Sequence, residues 1–144
     1  MKPNTGKAIL GGFVGTVLMT LMMYYAAPLM MGQKMDIAAM LGSMMGNSWM
    51  LGMMAHFVDG TLLFPLIYAF VLYRLLPGGP WLKGVLWGLI LWLLAQVMVM
   101  PMMGGGFFSS NMGGMMAATG SLIGHLIYGA ALGGIAGRAE GAQG

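Results

Sequence analysis

The chain has no cysteine. That excludes disulfides, thiolate metal ligands and thiol nucleophiles. Charge of either sign is scarce: six basic and three acidic side chains make up 6% of 144 residues, against about 25% in an ordinary globular domain. So few charges do not cover a water-facing surface, and a soluble domain is excluded. The basic residues are scattered, so a nucleic-acid-binding patch is excluded too. The loops hold no nucleophile–base pair and no acid cluster, so the chain reads as non-enzymatic. Histidine is limited to His56 and His125.

What fills the sequence is apolar, 59% of residues. Four runs reach the roughly 20 residues that a membrane span needs: Ala8 to Met31, Trp49 to Tyr73, Trp81 to Met103 and Ala117 to Gly137. The first is longer than the apolar core of about 7–15 residues in a signal peptide, and no small-x-small cleavage site closes it. It reads as a retained span. With four spans, Lys2, Lys7, Arg74, Lys83 and Arg138 share one side and Lys34 faces the other. The positive-inside rule then places both termini in the cytoplasm and the chain in a prokaryotic inner membrane. Between the first two spans, Ile37, Met40, Leu41, Met44 and Met45 keep helical spacing behind Asp36, a good N-cap. This predicts a short helix over 36–46 in the outer interface. The expected fold is a single all-α membrane domain over 1–144, a four-helix bundle of two parallel helical-hairpin repeats.

The repeat is legible by eye. Lys7 opens the first span and Lys83 the third; Pro28-Leu-Met-Met-Gly32 closes one and Pro101-Met-Met-Gly104 the other. His56-Phe-Val-Asp-Gly60 and His125-Leu-Ile-Tyr-Gly129 follow in the two halves. Repeats of this kind are related by an axis along the membrane normal. The histidines lie seven and eight residues into their spans, about 10–12 Å below the outer boundary at 1.5 Å per residue. Small residues share their faces: Gly52 and Gly60 around His56, and Ser121, Gly129, Gly133 and Gly137 around His125. Such faces let helices approach closely. Gly11/Gly15 and Gly84/Gly88 do the same for the first and third spans. This is more packing surface than four helices need, which points to an accessory or assembly subunit of a larger, possibly respiratory, membrane complex. Its partners would then be the lipid bilayer and other subunits or further copies of itself.

Twenty methionines are present, and every one but Met1 falls in 19–54 or 98–116. All of these belong to the outer half of the expected bundle. Soft thioethers select Cu(I), and Met40/Met44, Met50/Met53 and Met112/Met115 have the spacing of one helical face. Methionine is also an adaptable filler of irregular cores. Met-x-x-x-Met beside Gly-x-x-x-Gly is similar in part to the pattern of copper transporters, which have three spans in a different order.

An ionisable group within a span is a functional candidate. Three readings of the histidines stand open. Each imidazole bonds a neighbour across helices, with Asp59, Ser121, Thr61, Gln96, Tyr24 and Tyr25 as candidate partners. The two together ligate a b-type haem. Or they bind copper with Met19, Met22 or Met98. Asp59 alone supports a fourth reading, a small proton-coupled transporter using one membrane carboxylate.

Gly11-Gly12-Phe-Val-Gly-Thr16, Ile37-Ala-Ala-Met-Leu-Gly42, His56-Phe-x-x-Gly-Thr61, Pro80-Trp-Leu-Lys-Gly84, Val99-Met-Pro-Met102 and His125-Leu-x-Tyr-Gly129 occur together. In this the chain resembles a family of small, uncharacterised prokaryotic four-span membrane proteins, over about residues 7–137. The resemblance implies the topology and singles out the histidines. It implies no activity.

Overall fold

The computed structural model describes residues 1–141. Four long helices form: α1 (Thr5–Met31), α3 (Trp49–Leu75), α4 (Pro80–Met102) and α5 (Gly114–Ala136), with the short α2 (Ile37–Gly42) between α1 and α3. All four long helices are apolar enough to cross a membrane. The first and last described residues lie at one end, hereafter the terminal end, where Glu140 N–H donates to the Lys2 carbonyl at 3.3 Å and Ala139 N–H to Tyr73 Oη at 2.8 Å. The two long connections lie at the opposite, loop end.

Local chemistry explains the helix shapes. Asn4, Asp36 and Ser48 cap α1, α2 and α3 by accepting from backbone N–H groups. Three helices contain a π-helical turn that stops one residue short of a proline: Met22–Ala26 before Pro28, Asp59–Leu63 before Pro65 and Ala95–Val99 before Pro101. Proline has no N–H and clashes with the preceding turn, and the wider turn absorbs the misfit. No proline lies within α5, which runs as α-helix throughout.

Packing follows the small residues. A Cβ on Gly84 would strike the Gly129 carbonyl and the Gly133 backbone, joining α4 to α5. Gly11 and Gly15 of α1 meet Leu132 and Tyr128 of α5. Gly12 of α1 meets Pro65 and the Gly60 carbonyl of α3, and Gly60 meets Thr16. The helices are therefore arranged in the order α4, α5, α1, α3. The ring closes between α3 and α4 through bonds towards the terminal end: Trp87 Nε1 to the Phe64 carbonyl and Tyr68 Oη to the Pro80 carbonyl, both 3.3 Å, and Lys83 to the Tyr73 carbonyl.

Two hairpins in tandem, α1/α3 and α4/α5, make up the bundle as expected. The repeat is kept in α1 and α4, each with its π-turn and proline near the loop end. It departs at the crossings: α1 and α5 pack tightly along their length, whereas α4 meets α3 chiefly near the terminal end. That difference leaves room between the helices towards the loop end.

Two sequence expectations need correction. The short helix ends at Gly42, not Gly46, and continues as a turn over 43–47 with Asn47 at φ 59°. It packs against the start of α3: Ala38 is fully buried, and its carbonyl lies where a Cβ on Gly52 would stand. Met40 and Met44 therefore do not share a helical face. Met112 and Met115 do not either, because α5 begins at Gly114 and both Gly113 and Gly114 adopt positive φ. Of the three spaced pairs, Met50/Met53 alone lies within one helix.

Candidate intramembrane binding site

A cavity of about 820 Å³ opens from the loop end into the middle of the bundle. This falls within the range of about 300–1,000 Å³ usual for ligand pockets. Its deep part is lined by His56 and Asp59 from α3, His125, Ser121 and Tyr128 from α5, Gln96 from α4 and Thr16 from α1. Met19, Met23 and Met100 add buried thioethers, and Met40, Met103 and Met112 stand nearer the mouth. α2 covers part of the opening.

One bond fixes the relative height of the histidines. Pro65 cannot donate back into the Asp59–Leu63 turn, and the Gly60 carbonyl accepts from Tyr128 Oη at 2.6 Å instead. At about 1.5 Å per residue, His56 lies some 6 Å and His125 some 4.5 Å from that bond towards the loop end. They are at the same depth on two helices facing one cavity.

Each imidazole is held by one nitrogen. His56 Nε2 is 2.8 Å from Thr20 Oγ1, and that hydroxyl donates its proton to the Thr16 carbonyl at 2.6 Å. Thr20 therefore accepts, and the neutral His56 ring carries its proton on Nε2. His125 Nδ1 is 2.8 Å from the Ser121 carbonyl, an acceptor only, so its proton sits on Nδ1. The remaining nitrogens, His56 Nδ1 and His125 Nε2, have lone pairs and no hydrogen bond. Neither is sealed in packing, since Thr61 Oγ1 is the one enclosed, unpartnered polar side-chain atom among the described residues.

Asp59 is half-buried on the same wall and bonds neither His56 nor any other side chain among the described residues. Of the other expected partners, Gln96 is buried and accepts from Ser109 Oγ at 2.8 Å. Ser109 reaches it from a 3₁₀ turn (Phe107–Ser109) in which Phe108 and Ser109 both take positive φ. Tyr24 serves Asp36 instead, and Tyr25 is 72% exposed. Sequence reasoning missed Thr20; the signal available was the Gly12/Thr16/Thr20 stripe at four-residue spacing on α1.

The methionines divide. Met19 lines the cavity at 7% exposure, Met22 packs near Gly124, and Met98 borders the cavity while more than half exposed. Met30, Met50, Met54, Met102, Met115 and Met116 face outward. The methionine belt is therefore partly lipid-facing filler and partly cavity wall.

At the mouth, Asp36 Oδ1 accepts from Trp49 Nε1 and Ala39 N–H at 3.0 Å each, and from Tyr24 Oη. Lys34 stands 3.9 Å from Oδ2. Burial raises the Asp36 pKa, but these donors and the lysine outweigh it and hold the carboxyl below its ordinary 3.8. This knot ties the end of α1, the start of α2 and the start of α3 together.

A porphyrin suits the pair poorly. His125 offers Nε2, but His56 offers Nδ1, whose neighbouring Cβ would crowd the macrocycle. Among the described residues, the sole basic side chain along the cavity is Lys34 at the mouth, already beside Asp36.

Four helices long and apolar enough to span, with a cavity between them, define a multi-pass membrane bundle with an internal cavity. The chain belongs to a family of unknown function, DUF6789, whose model matches residues 3–144. No curated protein and no solved structure matches it.

Proposed function

We propose that the protein is a non-enzymatic membrane protein that binds a cationic ligand in the loop-end cavity. The observation that carries this reading is the chemistry of the deep wall. It presents two unbonded imidazole lone pairs and one unpaired acidic side chain. The hydroxyls of Thr16 and Tyr128 are already engaged on the Gly12 and Gly60 carbonyls, and among the described residues no Lys or Arg reaches that depth. The Gln96 amide and the Ser121 hydroxyl are the donors left among the described residues of that wall, and both are neutral. Electron-pair donors around an acidic group favour a positively charged guest and disfavour an anion. The positive-inside rule supports entry from the outer side of a prokaryotic inner membrane.

A role as an assembly subunit draws less support. Of the small-residue faces that suggested spare packing surface, Gly11, Gly15, Gly52, Gly60, Gly84, Gly88, Gly129 and Gly133 are used in contacts within the chain.

The test uses detergent-purified protein and two ions of one shape and opposite charge, tetraphenylphosphonium and tetraphenylborate, with Ag(I) as a small soft cation. Binding is read by equilibrium dialysis. The reading expects at least one cation to bind near one per chain, with Asp59→Asn weakening it several-fold, and the borate not to bind at the same site. It fails if neither cation binds, or if the borate binds as well as the phosphonium.

A further inference from the structure

We infer that the cavity is a Cu(I) site, with the ion held between His56 Nδ1 and His125 Nε2 and a buried thioether beside them. This rests on the cation reading above and names its ligand. Four observations converge on it.

The first is ring preparation. A metal-binding histidine generally donates its other N–H to a carboxylate, a backbone carbonyl or water, which fixes the tautomer and aims the free nitrogen. His125 has that arrangement on the Ser121 carbonyl, and in His56 the Thr20 hydroxyl takes the place that water fills elsewhere. A histidine that served only to join helices would use its bonds between them; His125 instead bonds the carbonyl four residues back on its own helix, leaving Nε2 for something else.

The second is placement. The two free nitrogens belong to rings at one depth, on the walls of one cavity, on helices joined one turn deeper by the Tyr128–Gly60 bond.

The third is donor softness. Thiolates are absent, and no group of three His, Asp or Glu side chains converges among the described residues. Zn²⁺ in structural sites takes four N, O or S donors, and Mg²⁺ and Ca²⁺ six or more oxygens. Two imidazoles and thioethers do not satisfy those ions. They do satisfy Cu(I), a soft ion stable with two or three neutral donors. Met19, Met23 and Met100 are each under 8% exposed and line the cavity.

The fourth is access. The cavity is larger than a bare ion needs. Its mouth carries Met40, Met103 and Met112, so thioethers extend from the loop end down to the imidazoles. An ion stripped of water by the first sulfur keeps a soft donor at each step inward, and Asp59 below supplies the balancing acid.

The experiment is competition for Cu(I) against bicinchoninate under ascorbate, with Ag(I) as a redox-inert surrogate, on the full chain in detergent. The expected result is one tightly held ion per chain, and at least tenfold weaker retention for His56→Ala and for His125→Ala. His125→Met should recover most of the loss, because a thioether replaces the ligand; a merely structural histidine would not be rescued that way. Should either alanine variant fail to fold, His125→Met and metal-induced shifts of the imidazole ¹⁵N signals still decide. If the double His→Ala protein holds Cu(I) as well as the wild type, surface methionines are the ligands and the inference is overturned. If tetraphenylphosphonium binds but Cu(I) and Ag(I) do not, the metal fails and the cation reading stands. If no cation binds, both fail.

Discussion

Replacing Tyr128 by Phe isolates the bond that sets the geometry of the site. Tyr128 is 3% exposed and its hydroxyl donates at 2.6 Å to the Gly60 carbonyl, which lies five residues before Pro65 and receives no helix N–H from it. Losing the donor leaves a buried acceptor unsatisfied, a cost of about 1–3 kcal/mol in water-soluble proteins. Interhelical hydrogen bonds in membranes measure lower, about 0.6 on average and about 1.7 at most, because the unfolded reference finds other partners. The one hydroxyl beside this stretch, Thr16 Oγ1, is engaged on the Gly12 carbonyl at 2.7 Å, so the upper part of the membrane range applies, about 1–1.7 kcal/mol. Reversible unfolding in mixed micelles should therefore show the equilibrium constant falling between about fivefold and twentyfold. Thr119→Val, which deletes an exposed bond to the Met115 carbonyl, is the matched control and should change little. In a Pro65→Ala background the helix regains an N–H for this turn, and the Tyr128→Phe penalty should shrink by at least half. An unchanged stability, or the same loss in both backgrounds, would refute the reasoning.

Other outcomes follow from the same geometry. Gly84→Ala puts a methyl group into the Gly129 carbonyl and the Gly133 backbone; separating α4 from α5 should cost about 1–3 kcal/mol, while Gly79→Ala, with open space around it and φ −76°, should be neutral in the same assay. Asp36 has a depressed folded pKa, so its bonds stabilise the protein above the unfolded value of about 3.9 and are lost as pH falls through the folded value. Asp36→Asn should lower stability at neutral pH and remove the acid-limb loss below about pH 4, measured as thermal stability against pH. Ser109→Ala frees the Gln96 amide; hydrogen exchange in the 104–113 loop should then rise, with the bundle core unaffected.

Much of the fold was legible in the residues. Apolar runs of sufficient length gave the four spans to within a few positions, because a span has one strong requirement and composition reports it directly. Asp36 as an N-cap and the glycine faces were legible for a similar reason: caps and close crossings leave particular residue types at fixed spacing. The equal depth of His56 and His125 followed from counting. The cavity did not, because it arises where a crossing is missing between α3 and α4, and a missing contact leaves no pattern in sequence. Thr20 was passed over as a partner because it lies on another helix, and which faces meet is set by three-dimensional packing. Three of the π-turns had a signal, Pro28, Pro65 and Pro101 inside apolar runs, but proline alone does not say whether a helix stops, kinks or widens, and the π-turn over Tyr68–Leu72 has no proline behind it.

The central claim is that two imidazoles present unprotonated nitrogens to one cavity. The most direct test is the ¹⁵N spectrum of histidine-labelled protein in micelles at neutral pH, assigned with single His→Gln variants and repeated with one equivalent of Ag(I). The account predicts His56 protonated at Nε2 and His125 at Nδ1, with the other nitrogen of each ring moving on addition of the ion. Free nitrogens that carry protons, or that do not move when Ag(I) is added, would contradict it.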